Sequence, residues 1–147
     1  MLRKIILAIS ITTSLTLVGC STSMPNHSTD RNLDQLQNKN WVLTEINQVV
    51  YKADPTQSAV PTMTFDSNEV SGTDGCNQFM GGYAVMGTQI KFANLKAVEN
   101  NACSNATNLP QKFSQALSQV VSYEASKTEL KFLDSNNRVI IKFKNLK

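Results

Sequence analysis

The sequence predicts a mainly β domain of the α+β class, with antiparallel strands and one amphipathic helix packed on them. Three observations predict it. Short apolar–polar alternations recur between Trp41 and Phe143, tight-turn residues separate them, and one stretch after Asn108 switches from a period of two to a helical period.

The elements follow in chain order. Arg3 and Lys4 form a short positive region. The stretch from Ile5 to Val18 is apolar but diluted by Ser and Thr. It has the length of a secretory signal and falls short of the roughly twenty apolar residues that span a bilayer. It closes in Leu17-Val18-Gly19-Cys20, which resembles the bacterial lipobox. That resemblance implies cleavage after residue 19 and a lipid on the Cys20 thiol. The other reading is an ordinary signal peptide that happens to carry a cysteine. Several acyl chains on one cysteine anchor stably, whereas a single chain does not. Ser21 follows, and by similarity to other lipoproteins a residue other than Asp there implies sorting to the outer membrane. The expected partition is therefore 1–19 signal peptide, 20–40 lipidated cysteine and flexible tether, and 41–147 folded domain.

Residues 21–40 are polar, with too few large apolar groups to order themselves, although Leu33 and Leu36 suggest a short helical turn leading into the domain. Trp41-Val42-Leu43-Thr44-Glu45-Ile46 then starts a strand on a large aromatic anchor. Thr62–Phe65 and Glu69–Gly72 flank Asp66-Ser67-Asn68, a hairpin signal. Between Phe79 and Tyr83, Gly81-Gly82 fits a bulge, while Gly72 and Gly75 permit positive φ or a close backbone approach. Asn77 is suited to bonding its own backbone and holding a bend. Further strands run over Gln89–Ala93, Thr128–Phe132 and Arg138–Phe143, the last two joined by the turn Asp134–Asn137. Asn108 is placed to cap a helix with Pro110 in its first turn. Phe113, Leu117, Val120 and Val121 then recur at helical spacing, a stripe that packs on the sheet or, alternatively, offers a ligand-binding face.

Composition bounds the function. The 147 residues include 14 basic and 11 acidic side chains; without Arg3 and Lys4 the balance is 12 against 11, with no cluster suited to nucleic acid. The single histidine, His27, lies in the tether, away from any nucleophile of the domain. No nucleotide-binding glycine loop occurs, and two separated cysteines with one remote imidazole make no zinc site. Asp66 with Glu69, or Asp74 near the glycine turn, are the candidates for paired carboxylates, and turn formation is the simpler explanation of each. No catalysis, cofactor or metal is expected. With Cys20 carrying lipid, Cys76 and Cys103 remain. In an oxidising compartment they should form a bridge if the fold brings them together, lowering unfolded-chain entropy by roughly 3–4 kcal/mol in the chain-entropy model; two free thiols or a redox pair are the alternatives.

These residues carry a family resemblance. Trp41, Leu43 and Ile46, then Phe65-Asp66, then Ser71-Gly72-x-x-Gly75-Cys76-Asn77-x-Phe79 with Gly81, Gly82 and Tyr83, then Ala102-Cys103 and Phe113, Ala116 and Leu117 resemble the META/HslJ domain family over about Trp41 to Phe143. The chain departs from that pattern before the second cysteine, where Glu99-Asn100-Asn101 replaces a Thr-x-Met-like run. The resemblance implies a small antiparallel, barrel-like sheet with a helix, an envelope location, no established reaction and an association with stress. The expectation is a non-enzymatic, monomeric outer-membrane lipoprotein, held on the membrane through Cys20, that binds an unidentified envelope protein. The face around Asn77, Gln78 and Tyr83 or an exposed sheet edge would carry that binding. A lipocalin-like carrier of a small apolar ligand and an inhibitor of a secreted enzyme are the alternatives.

Overall fold

Inward-facing residues at alternate positions build the sheet. In β1 (Asn40–Ile46) Trp41, Leu43 and Ile46 are buried; in β3 (Thr62–Phe65) Met63 and Phe65 are; in β8 (Glu129–Leu133) Leu130 and Phe132 are; in β9 (Val139–Asn145) Ile141 and Phe143 are. The structure is a computed structural model that describes residues 27–52, 60–98 and 108–146, with side chains from Asn32 onward. The remaining strands are β2 (Val49–Val50), β4 (Glu69–Thr73), β5 (Gln78–Met86), β6 (Gln89–Val98) and β7 (Ser122–Ala125); the helices are α1 (His27–Leu36) and α2 (Leu109–Leu117).

Every pairing is antiparallel, and the order β1-β3-β4-β5-β6-β7-β8-β9 returns to β1 through a β1–β9 ladder. The sheet is thus a closed ring, the barrel-like architecture expected. β2 folds back on the second half of β1, where β3 no longer reaches. The β1–β9 ladder joins Trp41 to Asn145 and Ile46 to Ile141, with an irregularity between Leu43 and Glu45. Across it Lys142 Nζ reaches Glu45 Oε2 at 3.0 Å. A ring of about eight strands leaves an interior that side chains can fill. Trp41, Phe65, Tyr123, Phe132 and Phe143 fill it, with Phe132 packed edge-on against Phe65, Phe92 and Phe143 at centroid distances of 6.4, 5.7 and 5.6 Å.

The expected turns form. Asp66 N–H bonds the Glu69 carbonyl and closes the β3–β4 hairpin. Asp134, only 4% exposed, closes the β8–β9 turn: its Oδ1 accepts the Asn136 and Arg138 amides at 2.9 and 3.0 Å, and its Oδ2 accepts Arg138 Nε and Nη2 at 2.9 and 2.7 Å. Those bonds, the Arg138 side chain first, hold its carboxyl below the usual carboxylate range. The register of β5 against β6 shifts between Met80 and Gly82, so the Gly81-Gly82 bulge is real. A β-carbon on Gly72 would stand 1.9 Å from the Thr62 carbonyl oxygen, the close approach that only glycine permits.

Three expectations need correction. The flexible tether does not extend to residue 40: α1 runs from His27 to Leu36, and Leu36 is fully buried. Leu33 and Leu36 pointed to a helical turn here, but local composition did not reveal its length or its docking, because the apolar surface that orders the segment belongs to the barrel. Trp41 Nε1 donates to the Leu36 carbonyl at 2.8 Å, Lys39 Nζ to the Gln35 and Asp34 carbonyls, and the Ala125 amide to Asn32 Oδ1. Second, Asn108 precedes α2 but makes no side-chain capping bond. Third, α2 ends at Leu117; Val120 and Val121 lie in the exit to β7, where the Val121 amide bonds the Leu133 carbonyl and Val121 is 44% exposed. The buried stripe of α2 is Leu109, Phe113, Ala116 and Leu117, and Phe113 stacks near Phe79 and Phe143 at 6.1 and 6.3 Å. Of the expected stripe, Phe113 and Leu117 stay in the helix and are core.

Two tests follow from this geometry. Gly72→Ala should lose at least about 2 kcal/mol in urea unfolding, because backbone must move to admit the methyl group. Gly82→Ala, whose nearest neighbour would be 3.8 Å away, should change stability by less than about 1 kcal/mol. The Asp134 carboxyl, lowered in the folded state, contributes stability that is present above the unfolded carboxylate value and disappears as pH falls through the folded one. Urea unfolding repeated down the acid range should therefore show a shallower pH dependence in Asp134→Asn than in the parent chain.

Candidate functional site

The β4–β5 connection holds the most distinctive residues of the sequence, and one carboxylate organises it. Asp74 Oδ1 accepts the amides of Cys76 and Asn77 at 2.9 and 2.6 Å, and Oδ2 accepts Asn77 Nδ2 at 3.0 Å. The Gly75 amide bonds Thr73 Oγ1 at 3.1 Å, and Gly75 takes the left-handed φ of 98° that the tight path requires. The bend is thus held by Asp74, with Asn77 as a donor to it rather than as its organiser. An Asx-type turn satisfies the backbone locally, which is why short acidic and amide residues occupy these positions.

The expected face of Asn77, Gln78 and Tyr83 does not exist as one surface. Asn77 is half-buried and Gln78 exposed at the start of β5, whereas Tyr83 is 8% exposed and points inward. Its ring meets Phe65 edge-on at 5.1 Å; its hydroxyl donates to the Asp66 carbonyl and accepts Gln37 Nε2 at 2.6 Å. Tyr83 therefore ties α1 to the β3–β4 turn. Burial pushes its hydroxyl pKa up, the nearby Asp66 adding to the effect and the Gln37 bond opposing it. Tyr123 is fully buried, has no hydrogen-bond partner for its hydroxyl, and is pushed up to about 12 by burial, with Tyr83 beside it contributing. Cys20 and Cys103 lie outside the described residues.

Because the interior is occupied, the concave surfaces are on the outside. One cleft of about 360 Å³ lies over the outer face of β3, β4 and β5 and is lined by Thr62, Ser71, Thr73, Gln78, Met80 and Val98. Hydroxyls and an amide line one part of it; Met80 and Val98, 53% and 67% exposed, line the other. A second cleft of about 410 Å³ separates β6 from α2 and is lined by Lys91, Phe92, Leu95, Ser114, Leu117 and Val120. Sequence reasoning placed Lys91 and Phe92 in a strand but missed this cleft. Its trace in the sequence is the alternation of Gln89–Ala93 breaking at Asn94, which takes a left-handed φ of 52°. Among the described residues no cluster of three metal-ligating side chains occurs, and no helix is long and apolar enough to cross a membrane.

This arrangement defines a small closed antiparallel barrel, filled by its own side chains and flanked at one seam by a helix. The chain belongs to the META domain family, whose sequence profile matches residues 34–146. The match begins inside α1, in agreement with the docking of Leu36. A protein from Burkholderia xenovorans, solved by NMR, superposes with a TM-score of 0.59 at 16% identity, covering 91% of this chain and all of that one. A second NMR structure gives 0.58 at 20% identity, covering 76% of this chain and 92% of the other. The crystal structure of a DUF4847 family protein from Bacteroides vulgatus gives 0.53 at 12% identity, covering 74% and 93%. These likenesses establish the fold. No curated protein sequence matches the chain.

The two buried tyrosines separate by their hydroxyls. Tyr83→Phe removes the bond to Gln37, just beyond α1, and the bond to the Asp66 carbonyl in the β3–β4 turn, and should lower stability by about 1–2 kcal/mol. Tyr123→Phe removes a desolvated group without a partner and should be neutral or stabilising. Chemical denaturation of both variants checks the contrast.

Proposed function

We propose that this META-domain protein is a non-enzymatic lipoprotein of the bacterial outer membrane that serves envelope integrity or stress tolerance by holding a protein partner. The observation that carries the reading is Leu17-Val18-Gly19-Cys20, placed directly behind a positively charged and then apolar start. A lipid on Cys20 would leave Ser21 to about Asn26 as a short link to the ordered domain, since α1 already belongs to it. Partner binding on the outside agrees with a barrel whose centre is taken by Trp41, Phe65, Tyr123, Phe132 and Phe143. A carrier of an apolar ligand would need that space.

The same reading pairs Cys76 with Cys103. Cys76 is disulfide-bonded, and with Cys20 lipidated only Cys103 is left for it.

Growth with labelled palmitate should label the chain and lose that label in Cys20→Ala, with the precursor accumulating uncleaved. Label retained in the variant, or an unlabelled parent chain, would refute the anchor. Mass mapping of unreduced peptides from the exported protein should recover 76 linked to 103.

A further inference from the structure

We propose that the open edge of β6 takes up an extended segment of a partner protein, alternating acidic and apolar side chains, as an added strand. The proposal rests on the partner-binding reading above and specifies the chemistry of the partner.

β6 runs from Gln89 to Val98 and is paired along its length with β5, but it meets β7 at one position only, Gln89 with Ser122. The Ile90 amide bonds the Val121 carbonyl at 3.1 Å and the Tyr123 amide bonds the Thr88 carbonyl at 2.9 Å. Alternate residues of a strand direct their backbone groups to the same side. Phe92 is therefore the next residue whose N–H and C=O face away from β5, and among the described residues no strand lies there. The chain that would continue the ladder turns instead into α2 and its exit, leaving the cleft between them. An open edge beside a cleft is the setting in which an extended peptide adds as a strand.

Charge selects the occupant. The described residues of β5, β6 and α2 include Lys91, Lys96 and Lys112 and no Asp or Glu. Lys91 and Lys96 are exposed, and the ion pairs among the described residues involve Lys131, Arg138 and Lys142 instead. Lysines on an edge discourage pairing with a second copy, which would bring like charges together, and favour an acidic strand. Phe92, Leu95, Leu117 and Val120 give apolar footing to every second side chain of that strand.

The test uses the full chain in detergent micelles and a short capped peptide of alternating Asp and Val, with a Lys–Val peptide as its opposite. Amide hydrogen exchange at Phe92 should be fast in the chain alone and slow about tenfold or more with the acidic peptide. The double variant Lys91→Glu, Lys96→Glu should lose about tenfold in affinity for the acidic peptide and gain affinity for the Lys–Val peptide, a reversal that misfolding would not produce. A Phe92 amide already protected without peptide, by the chain itself or by a dimer, overturns the proposal, as does equal binding of both peptides or protection confined to other strands. Photocrosslinkers at Leu95 and Met80 in intact cells separate the two readings. Capture from Met80 alone, with Phe92 unprotected by peptide, removes the seam and keeps a partner. Protection at Phe92 with no capture from either position keeps the seam and removes the envelope partner.

Discussion

Antiparallel pairing of β1 with β9 is the constraint on which the remainder of the structure rests. It joins residues about a hundred positions apart, so it cannot form until the intervening strands are nearly in place, and it converts an open sheet into a ring. Closure removes two long edges that would otherwise invite association. It also defines the interior that Trp41, Leu43, Ile141 and Phe143 share. Docking of α1 depends on the same ladder, because the Trp41 indole that donates to the Leu36 carbonyl is fixed by its place in β1.

The residues that mark this chain as a family member act chiefly on the backbone. Gly72 allows β4 to approach β3, Asp74 and Gly75 make the tight path into β5, Gly81 allows the bulge opposite Ala93 and Asn94, and Tyr83 closes the β3–β4 turn against α1. A motif made of such constraints specifies a fold and is silent on a ligand. That is why the family assignment and the likeness to distant structures agree on architecture while the binding surface has to be argued from clefts, edges and charge.

The two clefts differ in kind. The one over Thr62, Ser71, Thr73 and Gln78 lies on a fully paired part of the sheet, so only side chains are offered to a ligand. The one between β6 and α2 lies where the ring is joined by a single residue pair, so main-chain groups are offered as well. The helix lies beside this seam because the crossing from β6 to β7 carries α2, and Phe113 pins it against Phe79 and Phe143 rather than against β6.

Much of this was legible along the chain. Most strand positions (β2 and β7 excepted), the Asp66–Asn68 and Asp134–Asn137 turns, the Gly81-Gly82 bulge and the core helix positions Phe113 and Leu117 follow from local rules: side-chain period, glycine freedom and the short reach of Asp and Asn side chains. Those rules act within a few residues, and the sequence by itself determined what they govern. What depends on distant surface was decided only by the tertiary structure. Leu36 orders a polar segment because Trp41 and the barrel lie beneath it. Tyr83 turns inward because Asp66 and Gln37 converge on its hydroxyl, Val120 and Val121 leave the helix because β7 must reach Leu133, and the seam at β6 exists because a helix occupies the course a strand would have taken.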